Sequence, residues 1–316
     1  MSMRKIASVL ALAAIVLLLP AAASGETLKV GVLPDADSLP LLVAAAESLF
    51  AAEGVDVALV SFKAAVERDA ALQAGAIDGA VTDLLAVALA VQGGFDIRAA
   101  SLTDGRYGIV ASPLSGIASL ASLAGKSIGI SSNTIIQYAA ETMLARAGVA
   151  SADIRSLAVP KIQLRMELLL AGQLAAACLP EPLLSVARAK GAILLAASDD
   201  STPALGLGAG VIAFSRAALD SRLPEIAGFY RAYRRAAREL NAKSDAYRPF
   251  LVEKAAFPAE VRDSYSFVKY KDPRLPSAAD ISAVIEWMRS KGLLSKDIAP
   301  ASLIDARPLD EASKGW

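Results

Sequence analysis

Arg68-Asp69-Ala70-Ala71-Leu72-Gln73-Ala74-Gly75-Ala76-Ile77-Asp78-Gly79-Ala80-Val81 is echoed without gaps by Arg165-Met166-Glu167-Leu168-Leu169-Leu170-Ala171-Gly172-Gln173-Leu174-Ala175-Ala176-Ala177-Cys178. In each copy the pattern predicts a helix ending at a glycine, whose missing Cβ suits a left-handed C-cap. A short apolar run follows and reads as a buried strand. Two such units imply two similar α/β lobes. Two lobes in one chain imply a cleft between them, where small ligands bind.

The flanks of both copies carry the same grammar. Before the first, Leu28–Leu33 reads as a strand, Leu39–Phe50 as a helix capped by Ser38, and Val55–Val60 as a second strand. After it, Leu84–Val91 reads as a helix. The pattern restarts with a strand over Lys126–Ile130, a cap at Ser132-Asn133-Thr134, a helix over Ile135–Ala147 and a strand over Ile154–Val159. Strands alternating with helices predict mixed sheets with helices on both faces. The chain is expected to cross between lobes near Tyr107–Ala111 and return near Gly210–Phe214, as hinge strands. This places residues 26–108 and 211–316 in the first lobe, with the C-terminal helices, and residues 109–210 in the second.

Residues 1–25 read as a cleavable secretory signal: Arg4 and Lys5, an uncharged apolar run over Ile6–Leu19, Pro20, then small residues to Gly25. The apolar run falls short of the roughly 20 residues that span a bilayer. The only cysteine, Cys178, lies deep in the chain, so no cysteine marks a lipid anchor at the cleavage site and no intrachain disulfide can form. Removing Arg4 and Lys5 leaves 30 basic against 32 acidic residues, a balance that does not favour nucleic acid or a membrane surface. The basic run Arg231–Arg238 reads as the solvated face of a helix. Histidine is absent, which removes the commonest metal ligand and general base.

Several stretches along nearly the whole mature chain resemble one family. They are Val30-Gly31-Val32-Leu33-Pro34, Phe50-Ala51-Ala52-Glu53-Gly54-Val55-Asp56-Val57, Ala71–Asp78, Ile117–Ile130, Leu179-Pro180-Glu181-Pro182, and Val284–Leu294. In order and spacing these are similar to the periplasmic substrate-binding proteins of ABC importers. The branch is the one that contains nitrate, taurine, alkanesulfonate and thiamine-pyrimidine binders (SsuA/THI5-like, NMT1). The resemblance implies a two-lobe type II binding-protein fold that closes on a solute by hinge motion and presents it to an inner-membrane permease. It implies a periplasmic monomer with no cofactor, no metal and no catalytic residues. One departure is Ala175, where the family's second copy often carries aspartate. Because the first copy keeps Asp78, that aspartate reads as structural.

In such a fold ligands sit at strand C-terminal ends, where helix N-termini face the cleft and favour anions. The candidates are Ser38 after the first strand, Thr82 and Asp83 after the first repeat, Ser131, Ser132, Asn133 and Thr134 at one helix start, and Glu181 after the second repeat. Each also has a plain capping reading. Arg68 begins a helix, where a cation opposes the dipole; this points to a grip on a carboxylate or sulfonate, the other reading being a pair with Glu67 or Asp69. Arg165, its repeat partner, inherits a weaker version, and Arg106 and Tyr107 lie beside the expected hinge. An Asp83 facing the cleft favours an amine or ring N–H.

The leading expectation is therefore a binder of a small organic anion or zwitterion, sulfonate, taurine-like or carboxylate. The alternatives are a binder of a pyrimidine-type thiamine precursor, an enzyme on the same fold, or a sensor that docks to a receptor. An enzyme of that kind resembles cytoplasmic relatives, some of which need histidines this chain lacks.

Overall fold

A computed structural model describes residues 26–199 and 207–316. The signal assigned to residues 1–25 lies outside the described residues. The chain opens with β1 (Leu28–Val32), α1 (Leu39–Ala46), α2 (Leu49–Ala52), β2 (Val57–Ser61), α3 (Ala65–Gln73), β3 (Gly79–Asp83), α4 (Leu84–Gln92) and β4 (Ile97–Leu102). It continues through β5 (Tyr107–Ala111), β6 (Ser127–Ile130), α5 (Ile135–Arg146), β7 (Arg155–Ala158), α6 (Ile162–Leu170), β8 (Ala176–Pro180), α7 (Leu183–Ala189) and β9 (Ile193–Ala197). It ends with β10 (Gly210–Ser215), α8 (Arg216–Ser221), α9 (Leu223–Ala242), α10 (Arg248–Glu253), α11 (Ala278–Ser290) and α12 (Arg307–Ser313).

Two five-stranded mixed sheets result, in the orders β2-β1-β3-β10-β4 and β7-β6-β8-β5-β9. In each, the first three strands are parallel and the fourth runs antiparallel to both its neighbours. The expected hinge strands are corrected: β5 pairs wholly within the second sheet and β10 wholly within the first. Tyr107 and Gly108 thus join the second lobe and Gly210 the first. The chain leaves the first sheet after Leu102 and enters the second at Tyr107, through residues 103–106.

The doubled segment folds twice in the same way. Gly75 and Gly172 take φ of +70° and +72° as helix stops. The stems of Arg68 and Arg165 lie over glycines at matching places in β1 and β6. A Cβ on Gly31 would meet Ile77 Cδ1 at 2.6 Å and Arg68 Cγ at 3.1 Å, and one on Gly129 would meet Leu174 Cδ1 at 2.6 Å and Arg165 Cγ at 3.1 Å. Asp78 is structural: its Oδ2 accepts from Lys29 N at 2.7 Å and faces Arg222. In the second copy the direction is reversed: Ala175 N donates to Ser127 Oγ at 3.2 Å, the side-chain acceptor now standing on the strand.

The helix expected over Leu39–Phe50 is broken at Ser48, which takes φ of +57°. The left-handed turn redirects α2 so that Phe50 stacks on Phe229 of α9, centroids 5.5 Å apart. Helix α9 buries Ile226, Phe229, Tyr230, Tyr233 and Ala237 at helical spacing. Its other face spends Arg231 on Glu53 and both Arg234 and Arg238 on Asp272. Helix α11 reaches the second lobe, where Trp287 Nε1 donates to Glu141 of α5 at 3.1 Å. Among the described residues no helix is long and apolar enough to cross a membrane.

Candidate functional site

The strand ends of the two sheets face each other across a cleft. The first lobe contributes the turn after β1 with Asp35 and Asp37, Arg68 from α3, and Thr82 and Asp83 at the end of β3. The second contributes Tyr107, Ser131 and Thr134 beside the start of α5, Arg165 from α6, and Pro180. The space left is about 50 Å³, against roughly 300–1,000 Å³ for pockets that hold organic ligands. The lobes are closed on each other.

Side chains and backbone bridge the gap. Asp83 caps α4, its Oδ1 accepting from Ala86 N at 2.9 Å, while its Oδ2 accepts from Ile135 N of α5 at 3.0 Å. The hydroxyl of Tyr107 donates to Asp37 Oδ2 at 2.9 Å, and Thr103 donates to Asp37 Oδ1 at 2.5 Å. Ala36 N donates to the Glu181 carbonyl at 3.2 Å.

Three of these carboxyls are buried without a cation bonded to them, and their acidity shows it. Burial, then the charge of Asp37, pushes Asp35 up to about 7. Asp37 is also raised by burial, against its bonds from Thr103 and Tyr107. Burial and the nearby Asp69 push Asp83 up to about 6. Asp35 Oδ1 accepts from Ser38 N at 3.0 Å, and its bonds from Ser38 oppose the rise without cancelling it.

Both arginines of the doubled segment reach the cleft, with different surroundings. Arg68 Nε donates to Asp69 at 2.9 Å and Nη2 to Thr82 Oγ1 at 2.9 Å, while Thr82 donates on to Asp69 at 2.9 Å. The pairing with Asp69 foreseen for a surface arginine is present, but on a side chain only 5% exposed. Arg165 is fully buried and bonds only to carbonyls, those of Val159 at 2.9 Å, Cys178 at 2.8 Å and Pro160 at 3.4 Å. Burial lowers it to about 10. Burial also pushes the Cys178 thiol up to about 12, which leaves it an inert strand residue.

Of the residues singled out from sequence, Arg68, Thr82, Asp83, Ser131 and Thr134 come together at the cleft. Thr134 is the N-cap of α5, accepting from Ile136 N at 3.2 Å, and its hydroxyl donates to the Ser131 carbonyl at 2.8 Å. Ser132 and Asn133 are exposed and line a separate groove of about 450 Å³ with Val66, Gln73 and Leu89. Ser38 is fully buried and absent from the cleft lining. Glu181 is also enclosed: its carboxylate accepts from Arg106 Nη1 at 3.0 Å and from Ser185 N at 3.1 Å. The equivalent of Asp83 is Pro180, since β5 pairs Tyr107 with Pro180 as β10 pairs Gly210 with Asp83. Glu181 stands one place beyond, and its side chain turns to the start of α7. Asp35 and Asp37 were missed because Pro34-Asp35-Ala36-Asp37-Ser38 reads as turn grammar; the one signal was two acids so close together directly after a strand.

Among the described residues no cluster of histidine, cysteine or carboxylate side chains suits a metal ion. A family model described as NMT1/THI5 like matches residues 35–246, more than half of the chain. A search of curated protein sequences gave no significant match. Solved structures share the fold at low identity. The alkanesulfonate-binding protein SsuA from Xanthomonas axonopodis pv. citri, bound to MOPS, is 21% identical with a TM-score of 0.76, over 90% of this chain and 99% of that one. The periplasmic nitrate-binding protein NrtA from Synechocystis PCC 6803 is 14% identical with a TM-score of 0.71, over 92% and 89%. The desulfurization enzyme DszB is 15% identical with a TM-score of 0.66, over 92% and 100%.

Proposed function

Because this chain belongs to the NMT1/THI5-like family, we propose that it is the solute-binding component of an ABC importer, working in the periplasm and delivering its solute to a membrane permease. The solute is a small zwitterion that carries a basic nitrogen beside a sulfonate or carboxylate. The reading rests on a cleft whose buried carboxyls, Asp35, Asp37 and Asp83, outnumber its arginines, Arg68 and Arg165. A simple organic anion entering there meets Asp35, Asp37 and Asp83, and the N–H of Ile135 that would greet it already holds Asp83. An ammonium instead finds an acceptor and relieves the cost of a buried carboxylate. Binding without chemistry is the reading that the binding-protein neighbours favour, and the chain offers no histidine while its Cys178 is fully buried.

The test is a thermal-shift and calorimetric comparison on the mature protein of taurine and short amino carboxylates against ethanesulfonate, nitrate and pyrimidines. A ligand well above its Kd raises the melting point by mass action. Amine-bearing compounds should shift it and amine-free anions should not. Equal shifts by ethanesulfonate would remove the zwitterion reading, and shifts by pyrimidines alone would favour the thiamine-precursor alternative.

A further inference from the structure

Away from the cleft the two lobes meet a second time, between α5 and α11. Helix α11 is anchored in the first lobe. It buries Ile281, Val284, Ile285 and Met288, and the turn after it is tied to α4 by Gln92, whose Nε2 donates to the Leu293 carbonyl at 3.0 Å and whose Oε1 accepts from Ser295 N at 2.6 Å. From α5 of the second lobe come Tyr138 and Glu141, one turn apart on one face. Trp287 stands edge-on to Tyr138, centroids 5.7 Å apart, and its Nε1 donates to Glu141 Oε2 at 3.1 Å. Lys291 pairs with the same oxygen. The Glu141 side chain is only 12% exposed, which spares the contact much of the screening that weakens surface ion pairs.

None of these residues lines the cleft, yet a line of hydrogen bonds connects them to its wall. Asn133, between Ser131 and Thr134 of that wall, takes φ of +59° and donates its N–H to Gln137 Oε1 at 2.8 Å. Gln137 Nε2 donates in turn to Glu141 Oε1 at 2.9 Å, and the other oxygen of Glu141 meets α11. Glu141 follows Ile135 by about 9 Å along the same helix. A motion that lifts Ile135 from Asp83 therefore moves Glu141 as well.

We infer that Trp287, Lys291 and Glu141 form a clasp outside the cleft that parts when the lobes open. Glu141 is then a positioning residue: it sets the balance between open and closed forms of a cleft it does not touch. The inference is independent of which solute the cleft takes, and it rests on the solute-binding reading above only in taking the lobes to move.

The experiment uses the two tryptophans of the chain, since Trp316→Phe leaves Trp287 as the sole reporter. In that background, acrylamide quenching and small-angle scattering are measured on the solute-free mature protein, alone and with Glu141→Ala or Asp83→Asn. Should the alanine variant fail to fold, Glu141→Gln replaces it, keeping an acceptor for Trp287 but no charge for Lys291. Loss of the clasp should raise the ratio of open to closed protein roughly tenfold, the weight of one hydrogen bond to a charged group, read as a larger radius of gyration. Asp83→Asn, made on the cleft wall of the first lobe, should leave Trp287 more readily quenched, a remote effect that a merely local role for Glu141 does not produce. An unchanged radius in the Glu141 variant would overturn the inference. Trp287 quenching that stays at the wild-type level in Asp83→Asn would overturn it as well and mark the contact as a pivot. Neither readout needs a solute, so the receptor reading stands or falls separately, by the ligand comparison above.

Discussion

The carboxylate of Asp83, at the end of β3 in the first lobe, accepts a hydrogen bond at 3.0 Å from the backbone N–H of Ile135, the first residue of α5 in the second. The same carboxylate caps its own helix through Ala86 N. One side chain thus satisfies two helix starts, one in each lobe, and ties the two walls of the cleft together.

Replacing it by asparagine leaves one acceptor oxygen for two donors and places an N–H₂ against the other. Asp83→Asn should cost about 1 kcal/mol in stability, the usual weight of a lost cap. It should also shift the ligand-free protein toward an open form. Small-angle scattering of the free variant should give a larger radius of gyration than the wild type, converging when solute is added. An unchanged radius would mean the contact does not hold the lobes.

Asp35 and Asp83 give a pH dependence with a definite sign. Their folded-state values of about 7 and about 6 lie above the ordinary 3.8, so the folded protein holds protons that the unfolded chain has released. Their contribution is complete below about pH 4 and is lost as pH rises through 6 to 7. The melting temperature should fall between pH 5 and 7.5, and Asp35→Asn, which keeps the acceptor for Ser38 N, should flatten that slope. Binding an ammonium at Asp35 should release a proton near pH 7, read as a buffer-dependent heat in calorimetry. A melting temperature that rises over the same range would contradict the assignment.

Arg165 holds three carbonyls with no carboxylate near it, whereas its repeat partner Arg68 is paired with Asp69. Arg165→Lys should be costly, on the order of 2 kcal/mol, because one ammonium cannot serve acceptors spread around a planar fork. Chemical denaturation measures it. Arg68→Lys, with Asp69 still beside it, should cost less than half as much. Equal losses would show that the repeat made the two arginines alike in role as well as in place.

Much of the scaffold was legible because it is local. Gly75 and Gly172 stop their helices through backbone conformation alone, and the apolar runs after them have nowhere to go but a sheet. The site was legible only in part. Arg68 followed from a cation set at a helix start, and Thr82 and Asp83 from the end of a strand, whereas the strand end equivalent to Asp83 in the second copy is Pro180, with Glu181 one position beyond it, because sequence spacing does not reveal which face of a strand end meets the cleft. Asp35 and Asp37 lie in a turn, and turns are rich in aspartate for local reasons. Only the packing of Thr103 and Tyr107 over Asp37 removes that turn from water, and those partners come from distant segments. Strand β4 was passed over because its meaning depends on β10, more than a hundred residues later.

That dependence sets an order of assembly. β10 lies between β3 and β4, so the first lobe to be synthesised cannot close its sheet until the chain has passed through the whole second lobe. The second lobe draws all five of its strands from one continuous stretch and can fold as soon as β9 exists. The half of the molecule made later is thus free to finish earlier, and a truncation between β9 and β10 should leave a folded second lobe trailing an unfinished first. Folding rate is then governed by the long return of β10 to β3, the contact that closes the largest loop among the sheet pairings.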